Sequence, residues 1–229
     1  FPLYCKNWLA TIFYVAVIGF AIFLSFLNAF IYSAQDFDQI LGNWDLISAN
    51  WAFHIYNFDL DIFLFAATAG IHEELARYFW IVLLLAAFRN NRLNIPIAIV
   101  GSSLIFGTLH FTQLFTNSFM DTIQTVITAI GLGILYATIY LISGKIWLTM
   151  FSHFLADFMA YVFIPSGGGM WGMYGNQYLI VAAILTLILI SFASILVLVP
   201  SYRRSLKINA SNLTNLVPQE ASEDAYELA

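Results

Sequence analysis

Long apolar runs separated by short polar connections dominate this chain, and the runs have the length of membrane-crossing helices. Such a helix needs about 20 predominantly apolar residues. Five stretches qualify, near Trp8–Tyr32, Ile95–Phe115, Thr122–Leu141, Ile146–Ile164 and Gln177–Val199. A sixth, from about Asp61 to Phe88, is apolar at both ends but carries the charged stretch GIHEELARYFW, residues 70–80, in its middle. At about 28 residues it is longer than a bilayer requires, which predicts a tilted span or one that projects beyond the membrane. The pattern therefore predicts an all-α fold, a polytopic transmembrane helical bundle of about six spans over residues 1–206. From 207 to 229 the sequence KINASNLTNLVPQEASEDAYELA is polar and then acidic, with too little apolar content to pack, and is predicted to be a disordered, solvated tail. No internal repeat is visible.

Composition agrees with a membrane protein. Of 229 residues, 61% are hydrophobic and 9% charged, with a mean hydropathy of +0.83, whereas a soluble domain is about 25% charged. The 22 Phe, 12 Tyr and 6 Trp suit lipid-facing surfaces and interfacial belts. A net charge of −5 leaves no basic face for nucleic acid. The single cysteine, Cys5, can form no internal disulfide and has no metal-site spacing. Phe1 stands where a Met would open a complete chain, as truncation or processing would leave it.

Charge sets the expected orientation, because Lys and Arg flanking membrane spans are kept in the cytoplasm. Lys6, Arg89, Arg92, Lys145, Arg203, Arg204 and Lys207 all fall on one face of a six-span arrangement. Both termini are then cytoplasmic, and so is the tail, where the glycosylation-like triplets at Asn209 and Asn212 would go unused. The opposite face receives the acidic loop with Asp36, Asp38, Asp45 and Asp59, the link near Asp121 and the glycine-rich PSGGGMWGMYG. Arg77 alone breaks the rule.

A charge at the centre of a lone membrane helix costs about 2.5 to 3.5 kcal/mol on insertion scales. Glu73 to Arg77 is i,i+4 and Glu74 to Arg77 is i,i+3, so one guanidinium can pair with either carboxylate. Two acids against one base still leave a surplus negative charge, which calls for a proton, a cation or further donors. Two other spans supply polar ionisable groups: FGTLH, residues 106–110, and HFLAD, residues 153–157, each with its terminal residues on one helix face. At 1.5 Å per residue, Glu73 and His110 lie roughly 22 Å from the cytoplasmic ends of their spans, Asp157 roughly 16 Å and His153 roughly 10 Å.

Such a set suits hydrolysis, in which a carboxylate takes a proton from water while imidazoles orient that water and stabilise the oxyanion. Two other hydrolase signatures fail. HEELA is not HExxH, since Ala76 stands in place of the second His, and no GxSxG element is present. Two His and three acids could hold a divalent metal, but the spacing demands none and no cofactor is expected. Buried Glu, His and Asp also build proton relays in transporters, yet repeats and broken helices are missing.

EELAR at 73–77, FGTLH at 106–110 and HFLAD at 153–157 resemble the three ordered motifs of the CPBP intramembrane proteases, the Abi or CAAX-protease and bacteriocin-processing proteins. That family's pattern is EExxxR, FxxxH and HxxxN or HxxxD. The resemblance covers about 85 residues, from Glu73 to Asp157. The first motif departs from it, because Arg77 comes one residue early; EExxR also resembles the EExxK of PrsW-like glutamic membrane proteases. The resemblance implies a glutamate-type intramembrane endopeptidase acting on a peptide or membrane-associated protein. Glu73 would activate water, supported by Glu74, while His110, His153 and Asp157 complete the catalytic site and Arg77 and Phe106 position it. Asp157 stands where many members carry Asn. If ionised it cannot donate to an oxyanion and would orient His153. The short six-span form points to a bacterial cell membrane. The alternative within the same fold is a non-proteolytic scaffold, regulator or immunity protein. His72 and His54 have no counterpart and are expected to be structural or surface residues.

Overall fold

A computed structural model describes residues 7–33, 58–163 and 177–215 of the protein. Seven α-helices occur among the described residues: α1 (Asn7–Ser33), α2 (Leu60–Ala87), α3 (Asn94–Leu109), α4 (Phe119–Ser143), α5 (Ile146–Phe163), α6 (Gln177–Leu198) and α7 (Pro200–Asn215). A 3-10 helix, His110–Phe115, continues α3. The first six helices correspond to the six expected spans. Four of them are long and apolar enough to cross a membrane by that measure alone. α5 is short at 18 residues, and α2 carries the charge cluster. Cys5, His54, the loop acids before Asp59 and the glycine-rich link lie outside the described residues.

Local chemistry sets the helix ends. The carboxylate of Asp59 accepts from the Ile62 amide at 2.8 Å and caps α2. The hydroxyl of Ser118 accepts from the Asp121 amide at the start of α4 and donates to the Asp121 carboxylate. α4 stops at Gly144, whose φ of 65° is left-handed and whose amide donates to Tyr140. A glycine takes that conformation without a Cβ penalty, and α5 starts two residues later.

α4 is the central helix, buried along most of its length against α3, α6 and α7. On one side of the bundle α2 packs between α3 and α5, and α1 covers α5. The core joins Leu135, Tyr136, Ile139 and Ile142 of α4 to Ile81 and Leu85 of α2, Phe13 and Val17 of α1, and Leu189 and Leu196 of α6.

One boundary differs from the sequence reading. Where a solvated tail was expected from residue 207, α7 continues to Asn215 and buries Tyr202, Leu206, Asn209, Ala210 and Leu213. The Asn209 amide donates to the carbonyls of Leu141 and Ile142, which the end of α4 leaves without helical partners, and the Tyr202 hydroxyl donates to Leu9. The helix was missed because its apolar residues form a thin stripe through a segment that is polar on average. Residues 216–229 lie outside the described ones.

α7 also resolves the unequal depths expected for the polar residues. Glu74 is 13 residues from the end of α2, about 20 Å, while His153 is seven from the start of α5, about 10 Å. The two side chains meet, so α2 overshoots the start of α5 by about 10 Å, alongside α7, against which it packs.

The approach of α2 to α5 depends on Gly70. A Cβ there would stand 2.9 Å from the Met150 carbonyl oxygen and 2.9 Å from the Phe154 nitrogen, both backbone atoms that cannot rotate away. Small residues let membrane helices close up in this way. Gly70→Ala is therefore expected to destabilise the protein by about 1 to 3 kcal/mol through overpacking. Gly19→Ala, which meets nothing within 4 Å, is expected to leave stability unchanged or slightly raised. Thermal unfolding of the two variants in detergent checks this; equal melting would show that α2 and α5 have room to spare.

Candidate active site

The site is built one turn along α2 from Gly70. Glu74 is buried, and a single carboxylate oxygen, Oε1, receives two donors: Nη1 of Arg77 on the same helix and Nδ1 of His153 on α5, the latter at 2.8 Å. Arg77 therefore resolves its choice of acid in favour of Glu74. Its guanidinium lies over the Phe106 ring, 4.0 Å from the centroid, so an aromatic face on α3 partners the charge where water is absent. Nε and Nη2 of Arg77 find no hydrogen-bond acceptor among the described residues.

Because a carboxylate only accepts, the His153 bond to Glu74 places a proton on Nδ1. The other ring nitrogen, Nε2, lies 3.6 Å from Glu73 Oε2 and 3.5 Å from Asp157 Oδ2, ion-pair rather than hydrogen-bond separations. His153 thus stands among three carboxylates, one on Nδ1 and two facing Nε2. With Arg77 and a doubly protonated His153, two cations meet three anions and one negative charge is left over.

The three acids differ in access. The Glu74 and Asp157 side chains are 2% and 7% exposed, whereas that of Glu73 is 35% exposed. Glu73 borders a cavity of about 250 Å³ shared with Phe106, His110, His153 and Asp157. The cavity is also lined by Gln113 and Asn117, by Asp121, Thr125 and Thr128 of α4, and by Phe65 and Tyr161. Asn117 is exposed, and it stands at the end of the bundle away from Lys145 and α7. His110 joins the site from the junction of α3 with the 3-10 helix. Its Nδ1 donates to the Phe106 carbonyl at 3.1 Å, which leaves Nε2 as the free nitrogen.

All seven residues singled out in the sequence, Glu73, Glu74, Arg77, Phe106, His110, His153 and Asp157, come together here. Within the set, Glu74 takes the Arg77 pair that the spacing left open to either acid. Glu74 touches Arg77 and His153, with no bond to Glu73. His72 is exposed on α2 and borders a surface groove between α2 and α3 that Glu73 and His110 also reach. Among the described residues no group of three or more His, Cys, Asp or Glu is placed to hold a metal ion.

Tyr136 was not legible beforehand. It stacks on the His153 ring, with centroids 5.3 Å apart and planes at 25°. It sits in the apolar run of α4, where one aromatic among many gives no signal.

Removing one partner of a buried ion pair strands the other charge, a loss of about 3 to 5 kcal/mol. Arg77→Ala is accordingly expected to lower the yield of folded protein and its melting temperature, with Arg77→Lys intermediate because an ammonium cannot lie flat on Phe106. An Arg77→Ala protein that purifies and melts like the wild type would show that folding does not need the pair.

Comparison with curated proteins and with solved structures gives no match. A family model, that of the Rce1-like type II CAAX prenyl endopeptidases, matches residues 55–159. This segment holds all three motifs and the seven residues singled out in the sequence, on a helical membrane bundle. Over this segment the chain is similar to the Rce1-like proteins of the CPBP family of membrane proteases.

Proposed function

We propose that the chain is a glutamate-type intramembrane endopeptidase in which Glu73 is the general base. The observation that carries this reading is the unequal exposure of the three acids: Glu73 faces the cavity, while Glu74 and Asp157 are buried about His153. Water in the cavity gives a proton to the Glu73 carboxylate as its oxygen attacks a peptide carbonyl. His110, with Nδ1 committed to Phe106, uses its Nε2 lone pair to orient that water. A doubly protonated His153, held by Glu74, donates from Nε2 to the developing oxyanion. Collapse of the tetrahedral intermediate breaks the C–N bond, and the proton on Glu73 passes to the leaving amine. Asp157 acts on His153 in this scheme. The substrate is a peptide or a membrane-associated protein. No step passes through a metal or cofactor.

Glu73→Gln is expected to reduce cleavage of a peptide library in detergent by at least about a hundredfold, the usual contribution of a general base. His153→Ala and His110→Ala should do similar damage, and combined variants should lose less than the product of the single losses. Full activity of Glu73→Gln would overturn the assignment. A cellular phenotype that is indifferent to Glu73→Gln would favour a scaffold.

We also propose that the end of the bundle carrying Arg89, Lys145 and α7 is cytoplasmic, so that the cavity mouth at Asn117 lies on the opposite side. The support is the gathering of the basic residues at that end, where Lys145 lies 5.6 Å from the Tyr14 ring centroid at the start of α1. Asn90, Asn117 and Ser211 are exposed and serve as labelling positions. In a Cys5→Ser background, Asn90→Cys and Ser211→Cys should be protected from an impermeant thiol reagent added outside, and Asn117→Cys should react. Reaction of all three would reject the orientation.

A further inference from the structure

The three motifs place their residues on α2, α3 and α5, yet a fourth helix reaches the same centre. Tyr136 of α4 is 2% exposed. One side of its ring is stacked on His153 at 5.3 Å, and the Arg77 guanidinium carbon lies 5.6 Å from its centroid. Arg77 and His153 both donate to the same Glu74 oxygen. The phenol ring is thus packed against both donors of one acceptor. Tyr136 is absent from the residues lining the cavity and borders, with Tyr140 and Thr149, a gap too narrow to hold water, so it stands apart from the space for substrate and attacking water. Its hydroxyl has no hydrogen-bond partner among the described residues.

We propose that Tyr136 is a positioning residue of the hydrolytic site, and that it acts through its ring face and not through its hydroxyl. The inference rests on the proteolytic reading above. A single hydrogen bond from Nδ1 to Glu74 fixes one atom of the His153 ring but lets the ring swing about that contact. The aromatic face removes this freedom, and the swing it prevents is the one that carries Nε2 away from Glu73 and Asp157. The same face suits two cationic neighbours, because the negative quadrupole above and below the ring attracts both. A small side chain at 136 would leave space for Arg77 to lean toward His153 and compete for the carboxylates that face Nε2.

The test separates ring from hydroxyl. Tyr136→Phe keeps the face and is expected to cleave peptide within about threefold of the wild type. Tyr136→Leu and Tyr136→Met fill part of the space without a flat face. They are expected to lower kcat by about ten- to a hundredfold, the usual scale for a catalytic group displaced by an ångström or so, with KM little changed because Tyr136 does not touch substrate. In protein labelled with 15N-histidine, the His153 ring signals are assigned by their loss in His153→Gln. They should show one sharp set of imidazolium nitrogen shifts in the wild type and Tyr136→Phe, and broadened, averaged shifts in Tyr136→Leu or Tyr136→Met. Tyr136→Phe as damaged as Tyr136→Leu would overturn the proposal by assigning the role to the hydroxyl. Wild-type kcat and unaltered ring signals in Tyr136→Leu would overturn it outright. If neither apolar variant folds, loss of activity in Tyr136→Phe still rejects it. A wild type that cleaves nothing would sink the proteolytic reading, while the ring signals would still report whether Tyr136 orders His153.

Discussion

One buried carboxylate organises the rest of this structure. Glu74 accepts from Arg77 within α2 and from His153 across the α2–α5 contact, so its charge is neutralised and its position is fixed by two helices at once. A single acid at that depth would be expensive in a membrane, and an acid with only one partner would leave His153 free to turn. Every further feature of the centre is a condition on this arrangement. Gly70 lets the helices close, Phe106 covers the guanidinium, and the overshoot of α2 beyond α5 brings residues of unequal depth to one level.

Fixing Glu74 divides the labour between two adjacent acids. Consecutive residues on a helix point about 100° apart, so with Glu74 aimed into the α2–α5 seam, Glu73 turns toward the cavity. The EE pair is thus a device for placing one structural and one accessible carboxylate at the same height. Arg77 at i+3 from Glu74 suits this division, since the residue it serves is the structural acid. The early position of the arginine relative to the family pattern is in this chain compatible with a complete ion pair.

The parts of the fold and site that could be read in the sequence are those encoded locally. Apolar run length located the six helices α1 to α6, four of them long and apolar enough to cross a membrane, and i,i+4 spacing identified FGTLH and HFLAD as faces that could converge with the diacid. What stayed hidden depends on packing. The role of Asn209 as a cap for Leu141 and Ile142 becomes visible only when α7 folds back across the end of α4. Tyr136 is one aromatic in a helix full of apolar residues, and its stack on His153 is a contact between residues 17 apart in sequence. The choice of Glu74 over Glu73 by Arg77 turns on one residue of register, since both spacings allow a pair.

The packing of α7 across the cytoplasmic end of α4, as oriented above, has an electrical consequence. Protein atoms fill the bundle at that end, whereas the cavity beside Glu73 is bordered by Gln113, Asn117 and Asp121 as it approaches the other. A voltage across the bilayer falls over its non-conducting part, at about 2.3 kcal/mol per elementary charge per 100 mV. Nearly all of that drop would lie between the catalytic centre and the α7 end, leaving Glu73 close to the potential of the solution at the cavity mouth. Charge movement at that centre would then be almost indifferent to the energised state of the membrane.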